Sequence, residues 1–158
     1  MIDLDALRDE VKLIRSIQIT IESNHVDKNQ IVLQTSQSGH SNWWEKEEVY
    51  TTPLYKETPY LNSLMKKYNM LRSRILDLPS KSCYTLHSDR FDRVHIPIHT
   101  NDSNLFVIDS NVYRLPVGDV YLSQTTLPHT YLNGSKETRT HIVGAVLYKA
   151  YEPIRVME

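Results

Sequence analysis

A chain of 158 residues, 40% apolar and 23% charged, can build one core and is too short for two, which predicts a single soluble globular domain over 1–158. A formal net charge of −1 offers no general attraction to nucleic acid or to an anionic membrane, so neither is an expected partner, and oligomeric state is left open. One cysteine, Cys83, excludes an internal disulfide; the acidic opening Met1-Ile2-Asp3-Leu4-Asp5 is unlike a signal peptide and no apolar run reaches membrane-spanning length, so a cytoplasmic location is the expectation.

Along the chain, Leu4, Leu7, Val11 and Ile14 recur at helical spacing within Asp3 to Arg15, with acids early and Lys12 and Arg15 late, as a helix dipole favours. Ile17 to Glu22 alternates as a strand does, Ile31-Val32-Leu33 suggests another, and the polar stretch Gln34 to Lys46, with the Trp43-Trp44 pair, reads as a loop. After Pro59, residues Tyr60 to Leu71 carry Leu61, Leu64, Met65 and Tyr68 at helical spacing. From there the pattern turns to short β-type runs: 73–78, 82–87, 93–99, 104–108, 112–115, 120–122, 130–132 and 138–148. Turn residues separate them, and strands so short and closely spaced predict a sandwich or barrel with helices in front.

His87-Ser88-Asp89 sets an imidazole and a carboxylate at i and i+2, on one face of a strand, and His129 offers a third ligand several strands later. Two histidines and one carboxylate on one face of an octahedron leave three positions open, which suits ferrous iron with a chelating keto acid and dioxygen. His95, His99 and His141 compete for the third-ligand role. Arg139 supports the keto-acid reading, because a distal carboxylate needs a fixed cationic fork. An Asn133-Gly134-Ser135 hairpin with an odd loop and positive φ near Gly134 is expected to set His129 opposite Arg139.

His87-x-Asp89, His129 and Arg139, with Tyr84 to Asp89 and Arg93-Val94-His95-Ile96-Pro97, resemble the iron(II)/2-oxoglutarate-dependent dioxygenases, within them the aspartyl/asparaginyl β-hydroxylase-like branch that includes proline cis-hydroxylases. The resemblance covers about Arg72 to Leu147 and implies a mainly β fold, a double-stranded β-helix (jelly roll, cupin-like) with N-terminal helices flanking it. It further implies Fe(II) held by His87, Asp89 and His129, with 2-oxoglutarate as co-substrate held by Arg139 with help from Arg93 and His95. Dioxygen would be divided between succinate and a hydroxylated substrate. Asp89 is present where the aspartyl/asparaginyl β-hydroxylases themselves lack an acidic ligand, which leans the match toward the proline hydroxylases; those have a further C-terminal domain that this sequence does not match, so the substrate does not carry over. It is expected to be a small molecule, a free amino acid or a peptide residue.

On 93–99, Arg93 and His95 share one parity, assigned to the barrel lumen, and Val94, Ile96 and Ile98 the other, assigned to packing outside it. Trp43 and Trp44 either close over a substrate or pack in a loop; Arg72 and Arg74 either grip a substrate carboxylate or are solvated edge charges; His141 either lines the cavity or is a core histidine. His25, His40 and His99 read as ordinary surface residues and Cys83 as a small core filler. Two other functions are open: a cupin-type metal protein without 2-oxoglutarate chemistry, and a non-catalytic jelly-roll binding module.

Overall fold

The computed structural model describes residues 1–17, 29–36 and 46–158. Helix α1 (Leu4–Ile17) starts where Asp3 Oδ1 accepts the Ala6 N–H at 3.0 Å, and it buries Leu7, Val11 and Ile14, the stripe its spacing predicts. Helix α2 (Pro59–Lys67) begins with proline at its first position. Its free Tyr60 and Leu61 N–H groups donate at 2.9 and 2.7 Å to the Glu10 carboxylate of α1, which joins the two helices.

The predicted continuation of α2 to Leu71 is corrected by its C-cap. Asn69 takes φ 51°, its N–H donates to Lys66 O and the Met70 N–H donates to Met65 O. This left-handed cap closes the helix and turns the chain into a strand.

The described residues hold twelve strands, in chain order β1 (Gln30–Val32), β2 (Gln34–Ser36) and β3 (Tyr50–Pro53) before α2, and β4 (Leu71–Leu78), β5 (Ser82–Cys83), β6 (Arg93–His99), β7 (Asn104–Ile108), β8 (Asn111–Tyr113), β9 (Val120–Ser123), β10 (His129–Asn133), β11 (Arg139–Ala145) and β12 (Ile154–Met157) after it. A 3-10 turn, Glu47–Val49, precedes β3. The expected loop at Gln34 is therefore partly strand, since β2 pairs with β3. The expected strand beyond Ile17 and the pair Trp43-Trp44, with His25 and His40, lie outside the described residues; Ile17 itself ends α1.

A six-stranded antiparallel sheet, in the order β1-β4-β11-β6-β9-β12, faces a four-stranded one, β5-β10-β7-β8. From β4 to β11 the chain passes repeatedly from one sheet to the other, and the two inner quartets, β4-β11-β6-β9 and β5-β10-β7-β8, form a double-stranded β-helix. Between β7 and β8, Asp109 and Ser110 both take positive φ (46° and 71°) while Ile108 pairs with Asn111, a two-residue hairpin whose twist matches its strands.

This alternation overturns the predicted hairpin between His129 and Arg139. β10 pairs with β5 and β7, whereas β11 pairs with β4 and β6. Residues 133–135 cross between sheets, and Gly134 is not at positive φ. Asn133 organises the crossing: its Oδ1 accepts the Ser135 N–H at 3.0 Å and its Nδ2 donates to Leu78 O and Glu137 O. The side-chain amide does the work a hairpin turn would have done.

The two faces of the large sheet separate as the alternation of β6 predicts. Val94, Ile96 and Ile98 join Ile75, Val120, Leu122 and Ile142 under α1 and α2. The opposite face looks into the lumen, where Leu78 and Tyr121 meet Phe106, Ile108 and Tyr131 of the small sheet. Cys83 is exposed, so it is not a core filler, and His99 is exposed as expected. No helix among the described residues is long and apolar enough to cross a membrane.

Candidate metal centre

His129 opens β10 and is fully buried. The predicted strand 82–87 is regular only over Ser82–Cys83, but His87 rejoins the small sheet through a bridge to His129, with N–H···O distances of 3.1 and 2.8 Å in the two directions. Backbone pairing thus brings together two imidazoles remote in sequence, with ring centroids 4.3 Å apart. The segment that carries Asp89 is laced to the loop before His129: Asp89 N–H donates to Thr125 O at 2.8 Å, and buried Asp92 accepts Thr126 N–H, Thr126 O–H and Ala150 N–H. The segments that carry the three side chains are thus fixed by backbone contacts.

His87, Asp89 and His129 each offer a ligand atom, all within 4.8 Å of one another. Asp89 Oδ1 lies 3.6 Å from His87 Nε2 and Oδ2 lies 3.5 Å from His129 Nε2. His87 Nδ1 is 2.6 Å from Thr85 O and His129 Nδ1 is 2.9 Å from Leu127 O. A carbonyl accepts only from N–H, so both rings carry a proton on Nδ1 and turn Nε2, the atom each would offer a metal ion, toward the carboxylate. His129 Nε2 is sealed from solvent and has no hydrogen-bond partner. A buried ring nitrogen left without a partner suits a bound cation. The donor set fits a first-row metal ion such as Fe(II).

Burial pushes the Asp89 carboxyl up, but the neighbouring His129 and the Arg93 guanidinium outweigh it and hold Asp89 below the usual carboxylate range. Arg93, 6% exposed, donates from Nε to Asp89 Oδ2 at 3.1 Å and grips Glu47 at 2.5 and 3.2 Å. Burial alone would lower its pKa; the two carboxylates raise it instead. Arg93, expected to help with 2-oxoglutarate, is therefore already paired, and a ligand would have to compete with Glu47.

Deeper in the lumen, His95 Nε2 is 3.3 Å from the Tyr131 hydroxyl and its Nδ1 is 3.4 Å from His141 Nδ1. Burial, and then the charge of Arg139, push both histidines well below the ordinary imidazole range, so both are neutral. Arg139 is buried with its guanidinium 5.0 Å from the Tyr131 ring centre, and its Nε and Nη2 have no partner. Burial brings its pKa down to about 10. Buried guanidinium nitrogens without a partner suit a carboxylate.

A cavity of about 290 Å3 opens beside His87 and Asp89, with Arg72, Arg74, Arg93 and Glu47 in its wall. Arg139 does not line it; it packs on Tyr131, which does. Sequence reasoning missed Glu47, whose carboxylate arrives from a remote segment without a signal of its own. Tyr131 could have been found, since it shares the strand parity of His129. His99 does not join the site, and His95 and His141 stand in the lumen without entering the ligand cluster.

Residues 3–147 match the profile of the aspartyl/asparaginyl β-hydroxylase family. The chain is 28% identical over 102 residues to an L-proline cis-4-hydroxylase of Rhizobium meliloti (strain 1021), which covers 58% of this chain but only 36% of that protein. Two solved structures of salicylate 1,2-dioxygenase from Pseudaminobacter salicylatoxidans align over 92% and 93% of this chain and 44% and 50% of theirs, with TM-scores of 0.44 and 0.42 at 14% and 13% identity. The match over 3–147 extends beyond the β-helix to both helices that cover it, and on it the chain belongs to the aspartyl/asparaginyl β-hydroxylase family.

Proposed function

We propose that this chain is an iron(II)- and 2-oxoglutarate-dependent dioxygenase that hydroxylates an amino acid, an amino-acid residue in a protein or a related small molecule. The observation that carries the reading is the convergence of His87, Asp89 and His129, with both imidazoles fixed through Nδ1 and the Nε2 of His129 buried without a partner. In this reading the three side chains hold Fe(II), which when bound supplies the redox chemistry that activates dioxygen. The chain's own share is positional. Arg93 orients Asp89, and Glu47 holds Arg93 in turn.

The unpaired nitrogens of Arg139 support its assignment to the distal carboxylate of 2-oxoglutarate. Neutral His95, with one ring nitrogen toward Tyr131, supports a polar but uncharged lining for the keto acid. Phe106 stacks on Tyr131 with ring centroids 4.4 Å apart and keeps water from the inner wall. The name of the relative, L-proline cis-4-hydroxylase, favours an amino acid as substrate class.

The test is aerobic incubation with Fe(II) and 2-oxoglutarate across amino acids and short peptides, followed by succinate release and a mass gain of one oxygen. Succinate formation that requires both Fe(II) and His129 is the expected result. A protein that binds the metal yet neither binds nor consumes 2-oxoglutarate would be a cupin-type metal protein instead.

A further inference from the structure

Strand β4 is irregular where it enters the cavity. Val143 pairs with Arg74 and Ala145 with Leu71, so Arg72 and Ser73 together face the single residue Gly144. The extra residue is a β-bulge, and Arg72 carries it at φ 48°. An arginine in the left-handed region is strained, because its Cβ crowds the backbone; glycine normally takes such a bulge position. Gly144 is fitted to the distortion, since a Cβ there would come 2.6 Å from Ser73 Oγ and 2.9 Å from Met70 Cβ. Backbone strain of this kind persists where the re-aimed side chain is needed.

The bulge delivers Arg72 and Arg74 into the wall of the 290 Å3 cavity that also holds His87 and Asp89. Arg72 stacks on Tyr50 with its guanidinium 5.3 Å from the ring centre. Arg74 Nε is sealed from solvent and lacks a partner, and no carboxylate among the described residues pairs with either arginine. The two carboxylates in the same wall, Glu47 and Asp89, are both committed to Arg93. Two guanidiniums beside a metal centre, without a paired carboxylate among the described residues, suit an anionic ligand. At about 290 Å3 the cavity is at the small end of ligand sites, which limits that anion to a small molecule.

We propose that Arg72 and Arg74 form a carboxylate subsite for the molecule to be hydroxylated, so that the substrate is a small carboxylic acid of amino-acid size, anchored by its carboxylate beside the metal. This rests on the oxygenase reading and is separable from it.

The experiment uses the full chain loaded with Mn(II), and measures 2-oxoglutarate binding first. Failure there sinks the oxygenase reading alone. The Mn(II)- and 2-oxoglutarate-loaded protein is then titrated calorimetrically with the free amino acids, L-proline among them, each beside its carboxamide. At least one acid is expected to bind tenfold or more tightly than its amide. Arg74→Gln should weaken that acid at least tenfold while Mn(II) and 2-oxoglutarate affinities stay within twofold. Arg72→Gly, which removes the guanidinium and relieves the strained φ, should weaken the acid while the melting temperature stays level or rises. The subsite is overturned if no acid outbinds its amide, if Arg74→Gln binds the acid as the wild type does, or if that variant loses 2-oxoglutarate instead.

Discussion

His95 and His141 stand 3.4 Å apart through their Nδ1 atoms, buried and next to the Arg139 charge. Both rings stay neutral in the fold, whereas in the unfolded chain they take up protons as the pH falls through 6.5. The unfolded state then binds more protons than the native one, so stability falls with falling pH. A ring that stays neutral in the fold costs it RT ln(1 + 10^(6.5 − pH)), little at pH 7 and roughly 2 kcal/mol at pH 5. The pair should therefore remove about 4 kcal/mol across that interval, a large share of a domain's 5–15 kcal/mol. Urea denaturation of metal-free protein at pH 7, 6 and 5, beside the His141→Gln variant, measures it. The variant should lose about 2 kcal/mol less than the wild type over the same range. Exposed His99 contributes to both chains and cancels in the difference. Equal pH dependence in the two, or ring protons of His95 and His141 that titrate near pH 6.5 by NMR, would refute the reasoning.

Removing the carboxylate with Asp89→Ala leaves two imidazoles for the metal; Mn(II) affinity, followed by calorimetry, should fall at least tenfold. Arg139→Ala should weaken 2-oxoglutarate by about 3 kcal/mol or more while Mn(II) binding is retained, since a buried carboxylate would lose its cationic partner; unchanged keto-acid affinity would remove Arg139 from the site. Gly144→Ala drives a methyl group toward Ser73 and Met70 and should destabilise the fold by about 1–3 kcal/mol in chemical denaturation, more than an exposed helix substitution.

Elements whose periodicity serves one simple interface were legible in the sequence. Helix α1 shows its buried stripe directly, and β6 and β7 run over the predicted residues because each has a clear inner and outer face. The pairing of His87 with Asp89 was legible as well, since i and i+2 on an extended segment share a side, whereas His129 was singled out among four histidines only by the family resemblance. Strand β12 was missed because Ile154 to Met157 is half-exposed and pairs only with β9. The hairpin expected at 133–135 failed for a topological reason. Register arithmetic assumes that consecutive strands pair, and in this fold β10 and β11 belong to opposite sheets. Local chemistry at Asn133-Gly134 cannot reveal which sheet the chain enters next. Glu47 was invisible for a related reason, since its role exists only once Arg93 is buried beside it.

The passage of the chain between sheets also governs when the metal centre comes into being. His87 and His129 meet only through a bridge between β10 and the segment after β5, and the lumen behind them closes only when β6 and β11 are seated in the opposite sheet. Contacts of such long sequence separation make folding slow, and a site of this kind assembles late. A metal ion then has no partly folded form to grip. Mn(II) should lower the unfolding rate and leave the refolding rate unchanged, which makes the ion a latch on the finished barrel rather than a seed for it.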